Sequence, residues 1–143
     1  MPTTKSFEHT IRFDQVPGGP RLPLVTVKLI QPNGTRVGLS LLFDTGASTT
    51  TFRQELFPLL GLERWDSGPA VEVVTAGGAE VVVAHRYRVR LELLGKTVDA
   101  AVNLQALPHN PLFVGLLGRE DVFEQFGFGF WESTGELLAT VTP

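Results

Sequence analysis

Leu41-Leu42-Phe43-Asp44-Thr45-Gly46-Ala47-Ser48 carries an apolar strand end directly into an acid and a turn. Working upstream, Val37-Gly38-Leu39-Ser40-Leu41-Leu42-Phe43 starts with alternating character and finishes in three consecutive apolar residues. A strand that loses its polar alternation is expected to be buried on both faces. Before it, Leu24-Val25-Thr26-Val27-Lys28-Leu29-Ile30 alternates with period two, and Gln31-Pro32-Asn33-Gly34-Thr35 supplies the turn between them. Asn33-Gly34 is a strong hairpin signal because both residues tolerate positive φ. Asp44 therefore stands where the return strand of a hairpin ends.

Downstream the same grammar continues. Phe52 to Leu60 is a short segment interrupted by Pro58 and closed by Gly61. Val71-Glu72-Val73-Val74-Thr75 and Glu80-Val81-Val82-Val83 flank Ala76-Gly77-Gly78-Ala79, a hairpin whose paired glycines let backbone lie close to a ligand. Tyr87 to Leu94 alternates and turns at Gly95-Lys96 into Thr97 to Val102. Leu112-Phe113-Val114-Gly115-Leu116-Leu117 is an apolar run ending at Gly118-Arg119-Glu120-Asp121. Val122, Phe123 and Phe126 are spaced for one short helix stopped by Gly127, and Phe128 to Val141 predicts a last hairpin turning at Ser133-Thr134-Gly135. Hairpin, buried strand and special loop occur twice, once leading to Asp44 and once to Gly118. The expectation is a pseudo-symmetric, all-β single domain spanning 1–143.

Composition narrows the function classes. A chain of 143 residues can bury a core without staples. Its formal net charge of -3, with Lys and Arg scattered, offers no basic field for nucleic acid. The sequence contains no cysteine, so disulfides, thiolate metal sites and cysteine nucleophiles are excluded. His9, His85 and His109 are dispersed without ligand spacing, so no metal or other cofactor is expected. No apolar run approaches the length needed to span a bilayer, and the first residues lack the apolar stretch of a signal peptide. The chain reads as soluble and cytoplasmic.

Asp-Thr-Gly alone is a weak motif. Placed after a buried strand and followed by Leu116-Leu117-Gly118-Arg119, it resembles the paired signatures of retroviral-type aspartic proteases and their bacterial relatives. The resemblance spans a core of about residues 24–130 and implies a single-lobe acid-protease β-barrel with a flap hairpin and one short C-terminal helix. It implies an aspartic endopeptidase acting on extended polypeptide at mildly acidic pH, with apolar residues beside the cleaved bond.

Peptide hydrolysis without a metal or covalent intermediate needs an activated water and an acid for the carbonyl oxygen. Two carboxyl groups about 3 Å apart share one proton, because like charges at that distance cannot both ionise. This chain offers one such carboxyl. A two-lobed enzyme would need about twice the length. The lookalike Asp66-Ser67-Gly68 follows Leu62-Glu63-Arg64-Trp65, not a buried strand, and precedes Pro69, so it reads as a polar surface turn. The second carboxyl is expected from Asp44 of another copy across a twofold axis, which makes a homodimer the working unit.

The resemblance also assigns roles. Asp44 is catalytic, Thr45 locks the two loops across the dyad, and Gly46 admits substrate backbone. Ala47, Ser48, Ala76, Gly77, Gly78, Val114 and Leu116 contact substrate, while Gly118 and Arg119 are structural. Retroviral enzymes commonly carry an acid after Asp-Thr-Gly-Ala that pairs with the arginine; here Ser48 occupies that position and Arg119 needs another partner. The segments outside the core are expected at the dimer interface. Two rivals remain: a protease-fold module that dimerises and holds peptide without cutting it, and a monomeric β-barrel carrier for small apolar ligands.

Overall fold

The computed structural model describes residues 6–75, 78 and 80–143. The decisive hairpin forms as its sequence dictates. Strand β4 (Leu24–Ile30) pairs antiparallel with β5 (Arg36–Phe43), from Leu24↔Leu42 to Ile30↔Arg36. Gly34 takes φ 86 in the connecting turn, and Asn33 Oδ1 accepts the Thr35 N–H at 2.9 Å. Val25, Val27 and Leu29 on β4 face Leu39, Leu41 and Phe43 on β5 as the centre of the core. Leu42 is only half-buried, so β5 keeps its alternation to the end. The strand enclosed on both faces is another one.

Three short strands belong to the N-terminal region: β1 (His9–Arg12), and β2 (Asp14–Gln15) paired with β3 (Arg21–Leu22). After the Asp44 loop come β6 (Thr50–Arg53) and a 3-10 segment, Gln54–Leu60, which holds Pro58 and ends at Gly61 with φ 75. Strand β7 (Ala70–Val74) pairs with β8 (Val81–Leu93), which runs on without a break through the residues expected to form a separate strand at Tyr87. It returns through Leu94 and Gly95, both at positive φ, into β9 (Lys96–Gln105). The turn thus sits one residue earlier than the sequence suggests, because Lys96 already pairs with Leu93. From Ala100 to Gln105 every β9 residue is buried.

The expected run at Leu112 to Leu117 contributes a strand only at its end, β10 (Gly115–Leu117), and Leu112 is exposed. Val122, Phe123 and Phe126 give a single 3-10 turn, Phe123–Gln125, shorter than the helix their spacing suggests. Phe126 instead opens β11 (Phe126–Trp131), where Phe-Gly-Phe-Gly-Phe imposes the period of a strand. β11 pairs with β12 (Glu136–Val141), and β1 completes a three-stranded sheet.

The main sheet runs β4-β5-β10-β6-β9-β8-β7, and a β4–β8 pairing closes it on itself. Its centre explains the duplicated order seen in the sequence. β10 lies between β5 and β6, parallel to β5, and β6 lies between β10 and β9, parallel to β9. The connections from β5 to β6 and from β9 to β10 therefore interlock, and both special loops meet at one end of the sheet. Phe43 fastens that end to the three-stranded sheet: its ring stacks on Phe123 at 5.0 Å and meets Phe128 edge-on at 4.9 Å. Such aromatic pairs are worth about 0.5–1.5 kcal/mol beyond their buried area. Among the described residues, no helix is long and apolar enough to cross a membrane.

Candidate active site

Strand β5 delivers Asp44 to the end of the sheet, and five hydrogen bonds hold it there. The Asp44 N–H donates to Leu117 O at 3.2 Å across the parallel β5–β10 pair. The Ala47 N–H closes the turn on Asp44 O at 3.2 Å, and the Gly46 N–H donates to Asp44 Oδ1 at 2.9 Å. The opposing loop then clasps this one: the Arg119 N–H donates to Ala47 O at 3.0 Å and the Glu120 N–H to Ser48 O at 2.8 Å. A carboxylate oxygen that accepts a backbone N–H is oriented as well as solvated, which fixes where the second oxygen points.

Gly118 makes the clasp possible. Its N–H donates to the buried Thr50 Oγ1 at 3.0 Å, and a Cβ here would lie 2.6 Å from Thr49 O and 2.7 Å from Thr50 N. Only a residue without a side chain lets the two loops pack backbone to backbone. Thr49 Oγ1 adds a bond to Glu120 Oε2 at 3.0 Å. Arg119 has an exposed side chain and, among the described residues, forms no ion pair; it contributes through its backbone. Asp121, at φ 64, accepts from Arg88 Nη1 at 3.0 Å and from the Ala101 N–H at 2.9 Å, tying the loop to β8 and β9.

Asp44, Gly46, Ala47, Ser48 and Leu116 line one cleft of about 570 Å³, roofed by β7 through Glu72 to Thr75. Gly46 and Ser48 are exposed residues of its lining, and Thr45, next in the chain to Asp44, is exposed without lining it. Val114 does not join them; it lines a separate groove with Arg53 and Phe113, and Leu116 borders both. Of the expected hairpin tip, Ala76, Gly77 and Ala79 lie outside the described residues, while Gly78 is exposed at φ 69.

The lookalike Asp66 is absent from the cleft. Both its carboxylate oxygens accept from Arg64, at 3.0 Å each, and that guanidinium holds the carboxyl below its ordinary value. Tyr87 Oη pins the turn by accepting from the Gly68 N–H at 2.8 Å and donating to Trp65 O at 2.6 Å. Asp66 is a surface residue of a pinned turn, as its sequence context suggests.

Residues that the sequence pattern did not mark extend a row from Leu116 across the cleft floor. Leu116 on β10 faces Thr51 on β6, Thr51 faces Asn103 on β9, and Asn103 faces Arg86 on β8. Gln105, two residues beyond Asn103, also lines the cleft. The available signal was the polar alternation of Asn103 and Gln105 at the end of an otherwise apolar strand. Glu72, the other acid of the cleft lining, is exposed on β7, the last strand of the sheet order. Among the described residues, no three His, Asp or Glu side chains converge as a metal site.

A comparison with curated proteins returns no match. A family model described as aspartyl protease matches residues 25–120, from the first core strand through the Gly118-Arg119 loop. That span contains the interlocked strands, the Asp44 loop and its clasp. By this match over most of its length, the chain belongs to the aspartyl protease family.

Proposed function

We propose that the chain is an aspartic endopeptidase of extended polypeptides whose active site forms between two copies, each contributing Asp44. The observation that carries this reading is a cleft holding one braced Asp-Thr-Gly carboxylate at an exposed loop, with the lookalike acid committed elsewhere. Across a twofold axis the two Asp44 carboxyls share one proton. The ionised one takes a proton from the water between them as that water attacks the peptide carbonyl carbon. The protonated one donates to the carbonyl oxygen. The tetrahedral diol then collapses, the C–N bond breaks, and the leaving nitrogen takes a proton from the dyad.

Other features support the same reading. Thr45 is exposed, as a residue reaching for a partner loop must be in a single chain. Phe130 and Trp131 leave apolar surface on the three-stranded sheet, where the terminal segments would meet a second copy. Val74, Val81 and Val83 are exposed on the β7–β8 hairpin, suited to covering a bound peptide as a flap. Recognition then follows strand addition, with backbone bonds holding the peptide and alternate side chains entering pockets. The closed carrier reading lacks support, since the cleft is open and polar-floored.

A peptide carrying a statine-type hydroxyl in place of the scissile carbonyl mimics the diol and places one oxygen between both carboxyls. Calorimetric titration is expected to saturate at one mimic per two chains, with loss of binding in Asp44→Asn. Saturation at one mimic per chain would contradict the shared site.

A further inference from the structure

The polar row across the cleft floor ends at a cation. Thr51, Asn103 and Arg86 are cross-strand partners on β6, β9 and β8, so their side chains leave the same face of the sheet. Asn103 is 3% exposed, and its Oδ1 accepts from Arg86 Nε at 3.0 Å. That bond restrains the direction of the guanidinium. Among the described residues, neither Nη group of Arg86 has a hydrogen-bond or ion-pair partner. Neither is sealed inside the protein, since the buried side-chain atoms left without a partner are Arg53 Nε and Gln105 Oε1. Arg86 lines the Asp44 cleft, so its Nη edge opens there.

Other arginines are served differently. Arg12, Arg36, Arg64 and Arg88 are exposed, and each pairs with a carboxylate of its own. Arg53 is half-buried like Arg86, but its Nη groups meet His109 Nδ1 and the carbonyls of Asn110 and Phe113. Arg86 is a half-buried charge whose fork is left open, and such a charge is costly without a partner. Asp44 and Glu72, the acids of the cleft lining, both stand beyond ion-pair distance from it. With Nε committed to Asn103, the two Nη groups still offer the end-on edge that a carboxylate meets with two parallel bonds. Charge-assisted bonds of this kind are about twice as strong as those between neutral groups. A carboxamide would bond the same edge and leave the charge unbalanced. An aliphatic side chain would do neither.

We propose that Arg86 is a specificity residue that takes a glutamate or aspartate side chain of the substrate, outward of the residues beside the cleaved bond. This rests on the proteolytic reading of the cleft. Leu116 pairs with Leu42, two residues before Asp44, whereas Arg86 stands three strands further along the row. The apolar residues expected beside the cleaved bond are therefore left in place, and an acidic one is added further out. Asn103 is a positioning residue in this arrangement: it holds Arg86 and does not itself reach the substrate carboxylate. A site built to bond a charged group discriminates more sharply than an apolar pocket, because the analogue lacking that group leaves the site's own donors unpaired.

The test is a set of peptides, matched except for Glu, Gln, Leu or Lys at each position in turn, assayed for kcat/KM at about pH 6, where a glutamate side chain is ionised. At one position outward of the cleaved bond, Glu is expected to exceed both Gln and Leu by about tenfold or more. Arg86→Gln keeps a donor for Asn103 Oδ1 and should bring the Glu to Gln ratio to within about twofold of one. Arg86→Glu should invert the preference at that same position, so that Lys exceeds Glu, which a merely structural role for Arg86 would not produce. If neither variant folds, Arg86→Lys decides: it keeps the charge, loses the fork, and should lower the ratio at least threefold. No position at which Glu exceeds Gln, or an unchanged ratio in the variants, would overturn the subsite. If no peptide is cut at all, the proteolytic reading fails separately. The subsite is then judged by fluorescence anisotropy with the same peptides on the Asp44→Asn chain. Tighter binding of the Glu peptide upholds it, and equal or absent binding overturns it.

Discussion

Asp44→Asn is expected to lower kcat by about 10⁴-fold or more, the scale seen when a central catalytic group is removed. The fold should survive. An asparagine Oδ1 can accept the same Gly46 N–H that Asp44 Oδ1 accepts at 2.9 Å, and the four backbone bonds of the clasp do not involve the side chain. Thermal denaturation should place Tm within about 2 °C of wild type, since half-exposed isosteric changes away from a buried network cost little. The matched control is Asp66→Asn. Its carboxylate serves only the Arg64 pair on an exposed turn, so cleavage should stay within about twofold of wild type. Comparable losses in the two variants would show that Asp66 shares the chemistry, and would defeat the assignment of Asp44 as each chain's only catalytic acid.

A large effect on stability is expected from Gly118→Ala. One methyl group would press on Thr49 O and Thr50 N, which are backbone atoms between two strands and not the end of a flexible side chain. Relief requires the Gly118 loop and the Asp44 loop to separate. That strains the Gly118 N–H to Thr50 Oγ1 bond and the bonds from Arg119 and Glu120 to Ala47 and Ser48. Overpacking of this kind costs about 3 kcal/mol, a fall in Tm on the order of 10 °C for a domain of this size. Because the strain sits under Asp44, activity at a temperature where the variant is still folded should drop at least tenfold, as small misplacements of catalytic groups do. Urea unfolding read beside activity separates the two effects. A variant as stable and as active as wild type would mean that the clasp does not govern the geometry of the site.

Local features of the fold were legible because local chemistry decides them. The Asn33-Gly34 turn, the alternation of Leu24 to Ile30 and the entry of Phe43 into Asp44 all depend on neighbours within a few residues. The same holds for Asp66, whose polar flanks marked a surface turn. What escaped the sequence depends on which strands become neighbours. Thr51, Asn103 and Arg86 are far apart in the chain and meet only through the β6–β9 and β9–β8 pairings. Phe126 carries a helix-compatible spacing, yet its pairing with Val141 and its ring contact with Phe128 at 5.8 Å draw it into a strand. Val114 looked like a cleft residue from its place two before Leu116, but it lies outside β10 and lines only the neighbouring groove, while Leu116 borders both.

On the proposed reading, each chain holds half an active site. Its most direct test mixes wild-type chains with Asp44→Asn chains at constant total concentration, allows them to exchange, and measures cleavage. If two Asp44 carboxyls must meet, activity falls as the square of the wild-type fraction, because a mixed pair carries one intact carboxyl. Activity that falls only in direct proportion to the wild-type fraction would show that each chain works alone, with no carboxyl shared between two copies.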